Sequence, residues 1–414
     1  MGDKRVITFG CRLNAYESQV IEEELADHEE DLVVFNTCSV TKEAEKQARK
    51  AIRKHFRDHP HQRIVVTGCA AQINPQSFID MPEVSQVLGN QDKFDKKAYE
   101  DKQPMLVTDI MQVKTLASHL ITSFDGRSRA FIEIQNGCDH RCTFCTIPLG
   151  RGPSRSSTPR AIITQIQVLV DQGYQEVVLT GVDMTDYGKD LPCQTTLAKL
   201  IELILLDCPD LPALRISSLD PGEMNHDLWA VLMGSKRVMP HVHLSMQAGS
   251  DLILKRMKRR HVRQDIINVI ERIRKDWPHA TVGADVIAGF PTETEVHFEE
   301  TKEVVAMLDW VHVFPYSAHK QTPASKMPQV PGAVIKERAR QLREIAQSNH
   351  HRALSKRFGT IFNVMMERQI SGVWQGKSDH YVPCLGDDML FQKGQWQRVK
   401  AVSMKDQSLW VEPI

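Results

Sequence analysis

One stretch constrains this chain more than any other: residues 134–156, IQNGCDHRCTFCTIPLGRGPSRS, set Cys138, Cys142 and Cys145 in the spacing Cys-x3-Cys-x2-Cys. Whatever fold the chain adopts must bring these three thiols to one point. The spacing suits three thiolates closing on a single metal cluster. Four cysteines complete a [4Fe–4S] cube, so three leave one iron without a protein ligand, free to bind something else. An open position of this kind separates catalytic metal sites from closed structural ones. The alternative is a structural zinc site with His140, inside the motif, as fourth ligand. Zinc spacings are usually paired Cys-x2-Cys units, and no such pair follows here.

The first hundred residues carry three more cysteines in a repeated setting. RVITFGC ends at Cys11, LVVFNTC at Cys38 and IVVTGC at Cys69. Each is a short apolar run rich in Val and Ile, as expected of a strand buried on both faces. The segments between them have helical spacing, and Ser39 or Thr41 is placed to cap the second, with Glu43 near its start. The order β-α-β-α-β predicts a parallel sheet with right-handed crossovers. Such a sheet puts its C-terminal strand ends on one edge, ~4.8 Å apart. Three cysteines at adjacent tips then converge on one site. The competing reading is three ordinary buried thiols, a common fate of free Cys. The first turn, FGCRLN, lacks the GxGxxG fingerprint, which argues against a dinucleotide site.

At 414 residues the chain predicts two or three domains. Its Lys+Arg and Asp+Glu counts are equal, so any nucleic-acid site must be a local patch. Nine cysteines, clustered in threes, fit thiolate ligands in a reducing cytosol better than a disulfide framework. The N-terminus lacks a signal-peptide apolar region, and runs such as LIELILL are far too short to span a membrane. A cytoplasmic location is expected. Residues 90–129, of mixed charge and weak periodicity, read as the end of a first domain and a linker.

After the cysteine loop, helical and strand-like segments alternate. With FIEIQN before the loop they make about six β/α units, predicting a (β/α)6 partial barrel with active residues at strand C-terminal ends. Asp183, Ser218, Gln247, Asp285 and Tyr316 fall at or just past those ends, and Gly181 and Gly289 would allow close approach there. Singly, each is as readily a turn or cap residue. Cys193 and Cys208 have no partner at ligand spacing. Arg151, Arg155 and Arg160, and the run Lys255, Arg256, Lys258, Arg259 and Arg260, read either as solvated charge or as phosphate contacts. PGAVIKERARQLREIAQSNHHRALSKR reads as a long basic helix leading out of the barrel. Beyond Gly359 the pattern alternates, predicting a five-stranded OB-like module. There Trp374, Tyr381, Phe391 and Trp396 are placed either to stack on bases or to fill the core, and Cys384 has no assigned role.

The cysteine loop resembles the signature of the radical S-adenosylmethionine (SAM) enzymes. That likeness implies that SAM chelates the open iron, with Phe144 as the aromatic residue beside the last cysteine. It also implies that Gly181 and Asp183 in TGVDM, with Ser218, Gln247 and Asp285 in RISSLD, SMQAGS and DVIAGFP, line the SAM pocket. With the Cys11, Cys38, Cys69 triplet in front and the β module behind, the whole chain resembles a radical SAM methylthiotransferase. The implied architecture is an N-terminal parallel-sheet α/β domain (1–100), a radical SAM partial barrel (125–350) and a TRAM-like β domain (351–414).

The implied cofactors are two [4Fe–4S] clusters and SAM. The first cluster generates a 5′-deoxyadenosyl radical; the second holds the sulfur to be inserted. GCRLNAYES, GCDHRCTFCTIPLGRGPSRS and HVFPYSAHKQTPASKM resemble the subgroup acting on carbon 2 of N6-threonylcarbamoyladenosine at tRNA position 37. Other branches act on isopentenyladenosine in tRNA or on an aspartate of a ribosomal protein. The expected partners are a tRNA anticodon stem-loop, touched by Arg151, Arg155, Arg259 and Arg260, and an electron donor such as flavodoxin or ferredoxin, with no DNA and no membrane. The rival class is a non-enzyme: a two-cluster electron carrier or an RNA-binding Fe–S protein. A pure carrier would tend to saturate each cluster with four cysteines.

Overall fold

The structure, a computed structural model, describes residues 5–116, 121, 124, 127–387 and 391–414. The first sheet is parallel and has five strands: β1 (Val6–Thr8), β2 (Leu32–Thr37), β3 (Arg63–Gly68), β4 (Gln86–Leu88) and β5 (Met105–Leu106), in that spatial order. Every residue of β2 is buried, as its unbroken apolar run requires. Helix α1 (Arg12–Glu24) connects β1 to β2, and α2 (Lys42–Asp58) connects β2 to β3. The Thr41 side chain caps α2 by accepting from the Ala44 N–H.

This domain runs further than the sequence predicts. Residues expected to be linker form β5, a helix at Lys96–Glu100 and a 3-10 turn at Ile110–Gln112. Strands of two or three residues are too short to show a period, which is why the pattern hid them. The expected linker stretch SFDGRSR lies partly outside the described residues.

The central unit holds six parallel strand positions in two sheets. β6 (Ala130–Asn136), β8 (Glu176–Gly181) and β9 (Ala213–Ile216) form one, with the short antiparallel β7 (Arg155–Ser156) on the outer edge of β6. β10 (Ser218–Leu219), β11 (His241–Gln247), β12 (Thr281–Ala288) and β13 (Trp310–Pro315) form the other. β9 and β10 are one run interrupted at Ser217: β9 pairs with β8 and β10 with β11. The predicted (β/α)6 partial barrel is therefore present, with its sheet parted in the middle. Outward-facing Val242, Leu244, Val282, Ala284 and Val286 pack against the surrounding helices.

The helix Gly332–Ser355 does not lead away from the barrel as expected. It lies along it, with Ala339 and Leu342 in the barrel core, Arg338 paired to Glu293 at 2.9 Å, and Leu354 in the core of the last domain. The expected boundary at residue 350 falls inside this helix.

β14 (Ile361–Ile370), β15 (Val373–Ser378), β16 (Pro383–Gly386), β17 (Trp396–Lys405) and β18 (Ser408–Pro413) close the predicted five-stranded barrel in the order β14-β15-β16-β18-β17. Phe391 fills its core, packed with Val364, Val399 and Leu409. The β15–β16 loop enters the N-terminal end of the central barrel, where Arg215 donates to the Asp379 carbonyl at 3.0 Å and Thr281 to that of His380. No helix among the described residues is long and apolar enough to cross a membrane.

Candidate active site

The loop carrying Cys138, Cys142 and Cys145 is shaped by backbone bonds. Gly137 turns the chain at φ +72°, and a Cβ there would lie 1.9 Å from the Pro153 carbonyl oxygen, so only glycine fits. Cys138 N–H donates to Gly152 O at 3.1 Å. Thr143 anchors the far side: its N–H donates to Met257 O (3.0 Å), its hydroxyl to Arg256 O (2.8 Å), and its carbonyl accepts from Ala324 (2.8 Å). The Cys145 sulfur accepts from the Ile147 N–H at 3.4 Å, and the Cys142 sulfur from Arg259 at 3.5 Å. Phe144 stands edge-on to Phe290, ring centres 6.3 Å apart.

Sheet register builds the second triplet. Thr37 aligns with Gly68, so Cys38 and Cys69 leave adjacent strand tips side by side. Gly68 has φ +94°, and a Cβ there would meet Thr37 backbone at 2.3 Å. Cys11 precedes α1, its thiol 3.3 Å from the Asn14 side-chain oxygen. Burial, and then the Cys69 and Cys11 thiols, push Cys38 up to about 12. Burial likewise takes Cys145 to about 12, with Cys142 and Cys69 adding to the rise. Thiols gathered at one point repel once ionised, and a multivalent cationic core takes them as thiolates. Cys208 and Cys384 are buried elsewhere and Cys193 is exposed. Each triplet thus fits a [4Fe–4S] cluster with one open iron. His140 Nε2 engages Asp186 at 2.9 Å and Asp183 at 3.2 Å.

The two triplets face each other across the short helix Ile147–Arg151. A Cβ on Gly150 would lie 3.3 Å from the Cys69 Cβ, and Ser39 meets Thr146 at 3.2 Å. Beneath them runs a buried charge network that sequence reasoning missed. Arg151 grips Glu17 at 2.7 Å, and Lys93 joins the same carboxylate at 2.7 Å. Burial raises Glu17, but Arg151 and Lys93 outweigh it and hold its carboxyl at about 2. Burial and the Glu17 charge push nearby Glu133 up to about 7. The only signal in the sequence was that Asn14 and Glu17 sit three apart on the helix after Cys11.

All four arginines expected at RNA have partners inside the protein. Arg151 and Arg155 are 2% and 4% exposed, and Arg155 donates to the Arg151 carbonyl at 2.6 Å. Arg259 pairs with Asp220 at 2.6 Å, and Arg260 with Asp183 at 2.8 Å and Asp186 at 3.1 Å. Arg151, Arg259 and Arg260 are paired to carboxylates, and Arg155 is buried on the Val113 and Arg151 carbonyls.

Of the residues expected around SAM, Asp183 approaches the Cys138 sulfur at 3.8 Å, and its N–H and that of Val182 donate to Gln135 at 2.8 and 3.0 Å. Gly181 is packed by Met184 and Gln135. Gln247 closes β11 at φ +69°, whereas Ser218 opens β10 in register with His243, deeper in the barrel. Asp285 departs from the expectation: it lies inside β12 and is held between His243 and His312, each at 3.1 Å.

A basic face appears instead on α2. Lys42, Lys46, Lys50, Arg53 and Arg57, at successive spacings of three and four, share one exposed side above a groove of about 630 Å³. The stripe begins at the site, where the Lys42 N–H donates to the Ser317 hydroxyl at 3.3 Å, and runs ~22 Å along the helix.

Residues 132–305 match the Radical SAM superfamily, and residues 4–89 match a family described as uncharacterized protein family UPF0004. A threonylcarbamoyladenosine tRNA methylthiotransferase, MtaB, of Rickettsia prowazekii (strain Madrid E) is 47% identical over 368 residues, 88% of this chain and 87% of that protein. A protein of the same name from Bacillus subtilis (strain 168) is 37% identical, over 77% of this chain and 74% of its own. A tRNA-2-methylthio-N(6)-dimethylallyladenosine synthase of Corynebacterium urealyticum is 32% identical, over 81% and 67%. Among solved structures, the radical SAM methyltransferase TsrM of Kitasatospora setae, with tryptophan and a SAM analog bound, shares the fold. Its TM-score is 0.54 at 14% identity, over 76% of this chain and 67% of that one. The chain belongs to the radical SAM methylthiotransferase family.

Proposed function

We propose that this enzyme inserts a methylthio group at carbon 2 of N6-threonylcarbamoyladenosine at position 37 of tRNA. The observation that carries the reading is the apposition of the two triplets across Ile147–Arg151, one for each half of a sulfur-insertion reaction. The [4Fe–4S] clusters and SAM supply the electron, the radical chemistry and the sulfur. The chain supplies position. Cys138, Cys142 and Cys145 hold one cluster, and Cys11, Cys38 and Cys69 the other. Asp183 and Gln247 line the mouth where SAM binds. The Arg151–Glu17–Lys93 network locks the two cluster domains at one separation.

The stripe on α2 takes the phosphates of the anticodon stem, positioning the RNA without reading it. A loop base is splayed from its neighbours at less cost than a duplex base, which suits a target buried between two clusters. The electron donor is a protein such as flavodoxin or ferredoxin. The relatives named for threonylcarbamoyladenosine support the substrate, and the polar inner face of the barrel favours it over an apolar isopentenyl group.

Mass spectrometry of nucleosides from total tRNA, with and without this chain, tests the reading. Loss of 2-methylthio-N6-threonylcarbamoyladenosine, with its unthiolated parent accumulating, is the expected result. Unchanged tRNA overturns it.

A further inference from the structure

We propose that the inner face of the central barrel holds a subsite for the carboxylate of the threonylcarbamoyl group, with Arg12 as its cationic contact and the exposed His312 ring lining it. The inference rests on the substrate reading above. Along β11, β12 and β13 the apolar residues face the helices, so His243, Asp285, Trp310 and His312 face inward. Asp285 is hydrogen-bonded by His243 Nε2 and His312 Nδ1, each at 3.1 Å, which fixes both rings. One nitrogen of His312 is thus occupied by Asp285, and its side chain is 52% exposed. Gly283 lets Trp310 lie close across the face, since a Cβ there would be 2.4 Å from the indole nitrogen. Trp310 in turn packs on His241, His243, His312 and Tyr381, making an aromatic wall.

Arg12 enters this space from the other domain. It follows Cys11 directly, and its guanidinium donates to the Ser217 hydroxyl at 3.1 Å and the Tyr381 hydroxyl at 2.8 Å. Lys377 sits 3.6 Å over the Tyr381 ring. Among the described residues neither Arg12 nor Lys377 meets a carboxylate, whereas Arg129, Arg151, Arg259 and Arg260 each do. Both ring nitrogens of His241, which is 3% exposed, also lack a partner. A guanidinium held only by hydroxyl groups, beside a lysine that meets no carboxylate, keeps its charge free for an anion.

The depth fits as well. Asp285 lies three residues before the end of β12, so the subsite is ~10 Å below the strand tips. Carbon 2 and carbon 6 of adenine both flank N1, so the N6 substituent leaves the same edge of the ring that presents carbon 2. A base with carbon 2 at the triplets therefore has its substituent near Arg12, which follows Cys11 directly. A neutral apolar substituent would leave that guanidinium unpaired, which is how a polar site rejects the wrong substrate.

The test compares two anticodon stem-loop RNAs, one carrying N6-threonylcarbamoyladenosine and one carrying its neutral carboxamide. Turnover of the first by the unaltered enzyme reports the substrate reading, and the kcat/KM ratio of acid to amide reports the subsite. The expected ratio is about 10- to 100-fold in favour of the acid. His312→Phe and Arg12→Gln should each lower it severalfold, mainly through KM for the acid, with iron content per chain retained. Arg12→Lys should restore part of the preference. An enzyme that turns over the acid RNA but shows no acid preference overturns the subsite alone. So does a ratio unchanged in both variants. No turnover of the acid RNA overturns the substrate reading, and the subsite with it.

Discussion

Cys138, Cys142 and Cys145 share one loop, whereas Cys11, Cys38 and Cys69 come from three separate strand ends. The loop triplet is shaped by Gly137 and by local hydrogen bonds, with Thr143 pinning it to the barrel. The strand triplet is shaped by register, above all Thr37 beside Gly68, and nothing local holds Cys11 near Cys69. One site is therefore a property of a short sequence and the other a property of a sheet. Both still depend on each other, because Gly150 of the loop helix packs on Cys69 and Arg151 reaches back to Glu17.

The comparison breaks most visibly at the cysteines. Cys142→Ala should abolish SAM cleavage altogether, measured as 5′-deoxyadenosine formed under reducing, anaerobic conditions; any cleavage above background removes the loop triplet from its assigned role. Cys69→Ala should stop methylthio insertion while leaving SAM cleavage, with about half the iron lost. Methylthiolated product from that variant would overturn the assignment of the second cluster.

The coupling between the sites is next in size. Glu17→Ala leaves Arg151 and Lys93 buried without their carboxylate, and should cost about 3–5 kcal/mol of stability in denaturant unfolding. The native Glu17 carboxyl lies at about 2, below the ordinary ~4.3 of the unfolded chain. Its contribution is thus complete above the unfolded value and is lost as pH falls toward about 2. The Glu17→Ala penalty should therefore shrink on acidification, and a penalty independent of pH would refute the ion-pair account.

Smallest are the effects on α2. Replacing Lys46 and Lys50 by Ala should weaken RNA binding less than tenfold each, and lower the slope of log affinity against log salt by about one per residue. An unchanged slope would move the RNA to another face.

Much of the fold and of the site is legible in the order of the residues alone. The Cys-x3-Cys-x2-Cys spacing is local, and the runs ending at Cys38 and Cys69 are buried strands whose hydrophobicity announces itself, whereas the run ending at Cys11 is a short edge strand only partly buried, because one of its sides has no neighbouring strand. The alternation of the central segment and the five strands of the last barrel are likewise carried by period. A buried arginine and a phosphate-binding one look alike in a sequence; only the tertiary partners show that Arg151, Arg259 and Arg260 meet Glu17, Asp183, Asp186 and Asp220, and that Arg155 meets backbone carbonyls. The α2 stripe stands at helical spacing, yet nothing in the sequence says which helix begins beside the site.

The sequence by itself determined the chemistry: six thiols in two triplets, on strands and a loop whose local patterns need no distant partner to be recognised. Tertiary structure alone decided the arrangement. It brought Cys69 against Gly150, joined Arg151 to Glu17 and Lys93, and carried Arg12 across to Ser217 and Tyr381. Contacts between residues this far apart depend on how whole sheets pack, and no short-range pattern encodes that packing.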